Sequence, residues 1–256
     1  MIERHKHPVP EAAHKVGEST VEIGGRYLRN VLGLEDHLER HQHKKFGIRM
    51  FFSDDSNDDI TRRAEIGHSA FPPHKVISYQ LDRGRLDHHR LSLVCDDGAE
   101  RRIAARWVVD ATGRSSTIKR QLGLVKKVEH RANAAWFRIG RPIDIDEWSD
   151  DPGWHDRIDD QVPYSERELS TNHLMGPGYW VWLLRLASDA ISIGIVADAD
   201  MHPFSTMNRF EKAMDWLREN EPECARVVER HRDKLQDFRV MKNYSYGCEQ
   251  AVSSDR

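Results

Sequence analysis

Two short stretches of the sequence carry residue types that suit the binding of a nucleotide. Glu3 follows an apolar residue, and a carboxylate at the end of a strand can accept hydrogen bonds from both hydroxyls of a ribose. The apolar pair Val108 and Val109 leads into the turn ATGRSS, where backbone N–H groups near Gly113 suit a pyrophosphate. Each feature alone is more often structural, so the hypothesis of a nucleotide site depends on their conjunction.

Histidine is abundant, with 15 residues, which raises the question of a metal site. His37 and His41 stand four residues apart on a predicted helix. The motif is HLERH rather than HExxH, and no third ligand is evident. A solvated helix face is therefore the preferred interpretation.

An acidic loop also partly matches a calcium-binding template. Asp54, Ser56, Asp58 and Glu65 fall at positions 1, 3, 5 and 12 of that template. Asp59 occupies the position that requires glycine, and a predicted strand precedes the loop instead of a helix. We predict no metal site in the chain.

Composition excludes several classes of protein. The 256 residues include 39 Lys and Arg against 42 Asp and Glu, so the basic excess typical of a nucleic-acid binder is missing. The longest apolar run, Tyr179 to Leu184, is six residues, whereas a membrane helix needs about 20. We expect no membrane span and no nucleic-acid partner.

The ends and the cysteines favour a cytoplasmic protein. Residues 1–10 have no apolar stretch behind their basic residues, so they do not read as a secretory signal. Cys95, Cys224 and Cys248 are far apart and odd in number, which suits a reducing compartment and gives no disulfide framework.

The elements that would position these residues can be predicted from local patterns. Ile23, Tyr27 and Val31 recur every four residues and Gly33 can cap the end, which predicts a helix from Ile23 to Leu32. Further helices are predicted at Glu35 to Gln42, Thr117 to Leu122, Phe204 to Glu219 and Pro222 to Arg230. Strands are predicted at Phe46 to Phe52, Val76 to Leu81, Arg102 to Asp110 and Phe238 to Tyr246, with a hairpin of Tyr179 to Leu186 and Ala190 to Ala197.

Four motifs in a fixed order give the chain a family resemblance. They are KVGEST (Lys15 to Thr20), YQLDRGR (Tyr79 to Arg85), WVVDATGRSS (Trp107 to Ser116) and YWVWLL (Tyr179 to Leu184). In this order they resemble the flavin-dependent halogenases, exemplified by the tryptophan halogenases, and related FAD-dependent oxidoreductases. The resemblance implies an α/β (mixed α+β) fold: part of a Rossmann-like FAD-binding domain, with a β-sheet substrate lobe.

The same resemblance assigns domains and cofactor contacts. It implies that residues 1–45 and 76–125 form a partial FAD-binding domain, and that residues 46–75 and 126–246 form the substrate-binding sheet lobe with helices. Glu3 resembles the adenosine-ribose ligand. Gly17, Glu18 and Ser19 resemble the loop that passes the flavin, and Asp110 and Gly113 fall in a second cofactor-contacting turn.

Three departures from the family pattern point to an incomplete flavoprotein. The GxGxxG turn that holds the FAD pyrophosphate would precede Met1, and the GD motif would follow Arg256. Only 27 residues separate Asp82 from Asp110, fewer than the roughly 30 of a βαβ unit. We therefore expect an internal piece of a larger protein, with a deletion or a gene-model error between these aspartates, which does not retain FAD by itself.

Two family signatures of halogenation are altered. The resemblance places the halogenase lysine at Arg26, in the helix after the GES turn, and an arginine stays protonated. The WxWxIP signature keeps Trp180 and Trp182 but has Leu184 and Arg185 where the family has Ile and Pro. Both differences argue against halogenation. The two indoles either line the substrate site or pack in an ordinary core.

The sequence thus predicts an FAD-dependent oxidoreductase that is halogenase-like without halogenating, a monooxygenase or reductase acting on a small organic substrate. A flavin reductase or NAD(P)H would supply electrons. The alternative is a non-catalytic remnant that keeps the scaffold without FAD.

Overall fold

The computed structural model describes residues 17–54, 56–67, 78–90, 109–157 and 166–250. Glu3 and most of the strand predicted at Arg102 to Asp110 lie outside these ranges. The helices are α1 Glu22–Arg26, α2 Glu35–His41, α3 Arg83–Arg90, α4 Thr117–Gln121, α5 Pro152–His155, α6 Glu166–Leu169, α7 Phe210–Asn220 and α8 Pro222–Glu229. The strands are β1 His43–Lys44, β2 Ile48–Phe52, β3 Ala64–Gly67, β4 Tyr79–Gln80, β5 Val125–Lys126, β6 Ala132–Ile139, β7 Thr171–Gly176, β8 Tyr179–Arg185, β9 Ile191–Asp198, β10 Leu235–Met241 and β11 Gly247–Cys248.

Seven of the strands form one mixed sheet, in the order β10-β6-β9-β8-β7-β2-β3. Neighbouring strands are antiparallel except β2 and β7, which run parallel. The predicted hairpin is confirmed as β8 and β9, whose connection is closed by a hydrogen bond from the Leu186 N–H to the Ala190 carbonyl. In that connection Asp189 has a φ of 58°, a left-handed conformation that aspartate tolerates.

One face of the sheet carries the main core. Alternate strand residues such as Phe51, Leu174 and Ile193 pack beneath α5, α7 and α8, with Met214 and Val228 from the last two helices. The apolar residues of α7 recur at helical spacing, and Pro222 begins α8 where its missing N–H costs no hydrogen bond. The helices therefore cover this face completely enough to exclude water.

The opposite face carries an aromatic cluster that we call the tryptophan face. Its members are Ala134, Trp136, His173, Trp180, Trp182 and Val196. Residues two apart on a strand share a face, so the prediction that Trp180 and Trp182 point to the same side is confirmed. Both indoles are only partly buried, which leaves them accessible to a ligand.

Several predicted elements differ in extent or burial. The helix predicted from Ile23 begins at Glu22 and continues from Tyr27 to Val31 as a π-helical turn. Leu28 packs inward, but the stripe that suggested the helix is exposed, with Ile23 at 79%. The added residue in a π turn shifts which side chains face the protein.

Other boundaries were also wrong. The strand predicted near Phe238 to Tyr246 runs instead from Leu235 to Met241, where it pairs with β6. The long helix predicted from Phe204 divides into a 3-10 turn, Phe204–Thr206, and α7. Strands β3, β6 and β7 were not predicted; β6 is buried along its whole length, so it lacks the alternation that reveals a strand.

Candidate functional site

The segment Gly17 to Thr20, which we call the GEST turn after its sequence motif, pairs with β4 through an antiparallel bridge between Ser19 and Gln80. The Leu81 N–H donates to the Glu18 carbonyl at 2.5 Å, and the Thr20 N–H donates to the Tyr79 carbonyl at 3.0 Å. The Ser19 hydroxyl is 3.2 Å from the hydroxyl of Thr171 on β7. These bonds fix the turn to both β4 and the large sheet.

The side chain of Glu18 enters the protein. It is 5% exposed and forms an ion pair with Arg138, which is 3% exposed and lies on β6. Burial raises the pKa of the Glu18 carboxyl, while the Arg138 charge and a hydrogen bond from the Ser192 hydroxyl oppose this rise. A buried charge needs such partners to be tolerated.

A buried lysine also contacts the GEST turn. Lys45, between β1 and β2, is 4% exposed, and its Nζ donates to the Thr20 carbonyl at 3.0 Å. Its backbone is held by Ser78, which exchanges main-chain and hydroxyl hydrogen bonds with it. Burial lowers the pKa of the Lys45 ammonium, an effect that the charge of Glu22 partly opposes. Lowering the pKa increases the fraction of nucleophilic neutral amine.

The charge of this lysine acts on the tryptophan face at His173. Trp182 lies over Gly194, which leaves room for the ring, and its Nε1–H donates to the Ser192 hydroxyl at 3.2 Å. The ring of His173 is 6.5 Å from that of Trp180. Burial, followed by the nearby Lys45 charge, lowers the pKa of His173 to about 4, so this imidazole is neutral at neutral pH.

Arg26 does not join this group. It lies on the exposed side of α1, whereas the cations buried beside the GEST turn are Lys45 and Arg138. The geometry therefore favours Lys45 over Arg26 as a cation that could act at this site. The position of Arg26 as a catalytic residue stays a prediction without support from these contacts.

The turn at Asp110 and Gly113 lies elsewhere. The Asp110 carboxylate accepts hydrogen bonds from the N–H groups of Ile118 and Lys119 at 2.9 and 3.3 Å, which caps α4. Hydrogen bonds from the Thr112 hydroxyl and N–H, with these caps, lower the pKa of Asp110 to about 2. The Lys119 Nζ donates to the Gly247 carbonyl at 3.1 Å, so this turn contacts the C-terminal segment.

Among the described residues, backbone groups suit a flavin better than side chains do. Gly17 and Gly113 have φ values of 95° and 59°, and nothing within 4 Å would oppose a ligand at the missing Cβ of Gly113. The side chains of Glu18 and Ser19 bind the protein itself, so the GEST turn can present its backbone to a flat ring. The position of Glu3 is not described.

Within the described ranges, no group of three or more His, Cys, Asp or Glu residues could hold a metal ion. His37 is buried, with its Nε2 3.1 Å from the Gln42 side-chain nitrogen, and Glu65 of the acidic loop pairs with arginines instead. None of the helices in the described part of the chain has both the length and the apolar character that crossing a bilayer requires.

Comparison with known proteins gives relatives that are flavoproteins. No family model matches the chain. The flavin-dependent halogenase chlA of Dictyostelium discoideum is 23% identical over 257 residues, covering 81% of this chain and 41% of the relative. The myxobacterial chondrochloren halogenase CndH superposes with a TM-score of 0.62 at 15% identity, over 92% of this chain and 56% of that one. A flavoprotein/dehydrogenase of Cytophaga hutchinsonii gives 0.61 at 14% identity, over 94% and 60%.

These findings confirm the predicted resemblance to the flavin-dependent halogenases and the mixed α/β fold class. The relatives themselves are described as flavin-dependent halogenases and as a flavoprotein/dehydrogenase. The chain spans less than half the length of the curated relative.

The residues that link the GEST turn to the large sheet could not be predicted from the sequence. Arg138 and Ser192 lie on strands far from the GEST turn in the sequence, so no local spacing reveals them. A signal for Lys45 was present: it stands directly before the strand predicted at Phe46, following the two helices after the GEST turn.

Proposed function

We propose that this protein is an FAD-dependent oxidoreductase of the halogenase type, in which the tryptophan face receives a small organic substrate. The observation that carries the proposal is the buried Lys45, whose Nζ lies 3.0 Å from the carbonyl of Thr20 in the turn that resembles the family's flavin loop. A buried amine that contacts this turn is a costly arrangement that folding alone does not need.

The chain's residues divide between two lobes in this proposal. Residues 1–45 and 76–125 contribute to the FAD-binding domain, and residues 46–75 and 126–246 form the substrate lobe. The backbone of Gly17 and the GEST turn would hold the flavin ring, with Glu3, Asp110 and Gly113 at the more distant parts of the cofactor. When bound, FAD supplies the redox chemistry, using electrons from a flavin reductase or NAD(P)H.

The substrate would be held by Trp180 and Trp182, which offer half-buried aromatic surface. His173 is neutral, since burial and the charge of Lys45 lower its pKa, so it can exchange a hydrogen bond with a substrate without adding charge. The lowered pKa of Lys45 makes its amine able to handle an oxidised halogen species, the role that the family gives to a lysine. The arginine at position 26 is then no argument against halogenation.

A second candidate function is oxidation of the substrate without halogenation. It is favoured by the altered signature after the two indoles: Leu184 is buried at 3% exposure, and Arg185 forms an ion pair with Glu168. Leu184 and Arg185, which stand where the family has Ile and Pro, thus make structural contacts at the end of β8.

The test is product analysis with the full-length protein, FAD, a flavin reductase, NADH and bromide, using indole and phenol as probes. We expect a brominated product that falls at least tenfold in Lys45→Met, because the reactive amine is removed. Lys44→Met is the matched control, since Lys44 is partly exposed and pairs with Glu39; it should retain the product, as should Arg26→Ala.

The remaining outcomes separate the candidates. An oxidised but unbrominated product would support the second function and exclude the first. If the full-length protein neither binds FAD nor oxidises any probe, both functions are excluded. That outcome would support the hypothesis of a non-catalytic remnant. Circular dichroism of Lys45→Met must match the parent protein, so that loss of product is not loss of fold.

A further inference from the structure

Four side chains lie between the GEST turn and the tryptophan face. Arg138 pairs with Glu18, the Trp182 Nε1–H donates to the Ser192 hydroxyl at 3.2 Å, and the Ser192 hydroxyl lowers the pKa of the Glu18 carboxyl. All four lie away from the helix-covered core.

The strand register explains why these residues meet. Arg138 on β6 stands directly opposite Ser192 on β9, and Trp182 on β8 stands opposite Gly194, two residues further along β9. Ser192 and Gly194 therefore point to the same face, and the indole that lies over Gly194 brings its N–H to the serine. The strand register therefore brings Arg138, Ser192 and Trp182 together, although Arg138 is distant from the other two in the sequence.

The hydroxyl of Ser192 has the right chemistry for a link between two fixed groups. A serine has one O–H to donate and lone pairs to accept, whereas an indole only donates and a carboxylate only accepts. Ser192 is fully buried, so water cannot replace either partner. Its oxygen accepts from Trp182, which leaves its one proton for Glu18, the carboxyl whose pKa it lowers.

The buried ion pair holds one end of this link. Two charges taken out of water contribute little to stability, and apolar residues of similar size would often serve the fold equally well. The pair does, however, fix where the Glu18 carboxylate lies. Arg138 stands opposite Ser192 in the sheet, and Ser192 is the acceptor of the Trp182 indole.

We infer that Ser192 is a positioning residue, which fixes the Trp182 indole relative to the GEST turn. The meaning of this link for a reaction, as a connection between cofactor loop and substrate wall, rests on the proposed function. The link itself is a property of the chain and can be tested without substrate.

The test is a correlation spectrum of ¹⁵N-labelled tryptophan indoles in the chain. Trp182→Phe assigns the Trp182 signal. We expect Ser192→Ala to move that signal upfield, because the indole loses its acceptor. Glu18→Gln, which does not touch Trp182, should move the same signal. The Trp154 indole donates to the Asp146 carbonyl and serves as an internal reference that should not move.

Matched variants keep the test falsifiable. Ser170→Ala removes another buried serine hydroxyl, which contacts the Phe46 carbonyl, and should leave the Trp182 signal in place. If all indole signals change in Glu18→Gln, that variant is unfolded, and Glu18→Asp is tested in its place. An unchanged Trp182 signal in Ser192→Ala, or in a folded Glu18 variant, would overturn the inference.

Free FAD added to the full-length protein separates this inference from the proposed function. Failure of FAD to bind contradicts the function and leaves the link standing. A Trp182 signal that responds to FAD in the parent protein but much less in Ser192→Ala supports both. A response of equal size in the two proteins would show that the turn and the wall are not connected through this serine.

Discussion

At the level of single residues, Gly194 is a position where the tryptophan face has no room for a side chain. A Cβ there would overlap a carbon of the Trp182 ring, which cannot move away as the end of a flexible side chain could. Gly194→Ala should lower the free energy of unfolding by about 1–3 kcal/mol through overpacking. Urea unfolding followed by tryptophan fluorescence measures this loss.

Gly24→Ala is the control for that substitution. Gly24 lies within α1, and its added Cβ would meet only Thr20, at 3.8 Å. Because alanine has a higher helix propensity, the free energy of unfolding should stay equal or rise by up to about 1 kcal/mol. Equal losses in the two variants would contradict the placement of the Trp182 ring over Gly194.

The site residues divide into those the sequence could predict and those it could not. The common face of Trp180 and Trp182 follows from the two-residue period of a strand. Glu18 and Ser19 were selected by a motif, although the structure turns the Glu18 carboxylate toward Arg138. Lys45 required knowledge of which element the GEST turn packs against, and that is a tertiary contact.

At the level of elements, a buried charge network fixes the β3 edge of the sheet. Glu65 on β3 pairs with Arg49 on β2 and with Arg167 on α6, and Arg167 also pairs with Asp146 and lies over the Trp154 ring. Although burial raises the pKa of Glu65, the hydrogen bonds and charges of Arg167 and Arg49 hold it below its usual value.

Glu65→Gln should therefore be strongly destabilising. The substitution removes the carboxylate that pairs with the buried guanidinium groups of Arg49 and Arg167. We expect the free energy of unfolding to fall by about 3–5 kcal/mol. Glu35→Gln breaks an exposed pair with Arg29 and should cost no more than about 1 kcal/mol. Urea unfolding of both variants at one pH compares them, and similar losses would contradict a buried network.

A second element-level effect concerns pH and the start of α8. Burial raises the pKa of Glu223 from 4.5 to about 7, although it accepts a hydrogen bond from the Ile60 N–H. The folded protein thus binds this proton more tightly than the unfolded chain does. The resulting stability is present at low pH, declines as the pH rises above 4.5, and is lost above about 7.

Glu223→Gln should remove this decline, so that its stability relative to the parent rises with pH by an amount on the order of 1–3 kcal/mol. Urea unfolding between about pH 5 and pH 8 measures the difference, because the window lies in that range. Glu219→Gln, at an exposed position on α7, is the control and should run parallel to the parent protein. A parallel curve for Glu223→Gln as well would contradict the assignment.

Elements with a clear local signal were the easiest to predict. Helix α8 followed from its proline, and β8 from its apolar run and the three-residue link to the next run. Strand β6, with alanines at three of eight positions and both faces covered, gave no such signal. The four-residue spacing of Ile23, Tyr27 and Val31 predicted a helical segment, although these three side chains are exposed and do not pack in a core.

For the whole molecule, the general architecture was more predictable than its connections. The motif order predicted a cofactor part and a sheet lobe, and the fold class is confirmed by the structural relatives. The order of strands was not predictable, because the pairing of β2 with β7 joins residues about 120 positions apart. No local pattern encodes a contact of that range.

That parallel pairing has a consequence for the order in which the protein is made. The β2–β3 hairpin leaves the ribosome early, yet the strand it joins, β7, is synthesised about 120 residues later. At roughly 5–20 residues per second, the hairpin waits for on the order of 6 to 25 s. Its partner edge stays open during that time, so a chaperone that covers this edge would protect the nascent chain from pairing with other strands.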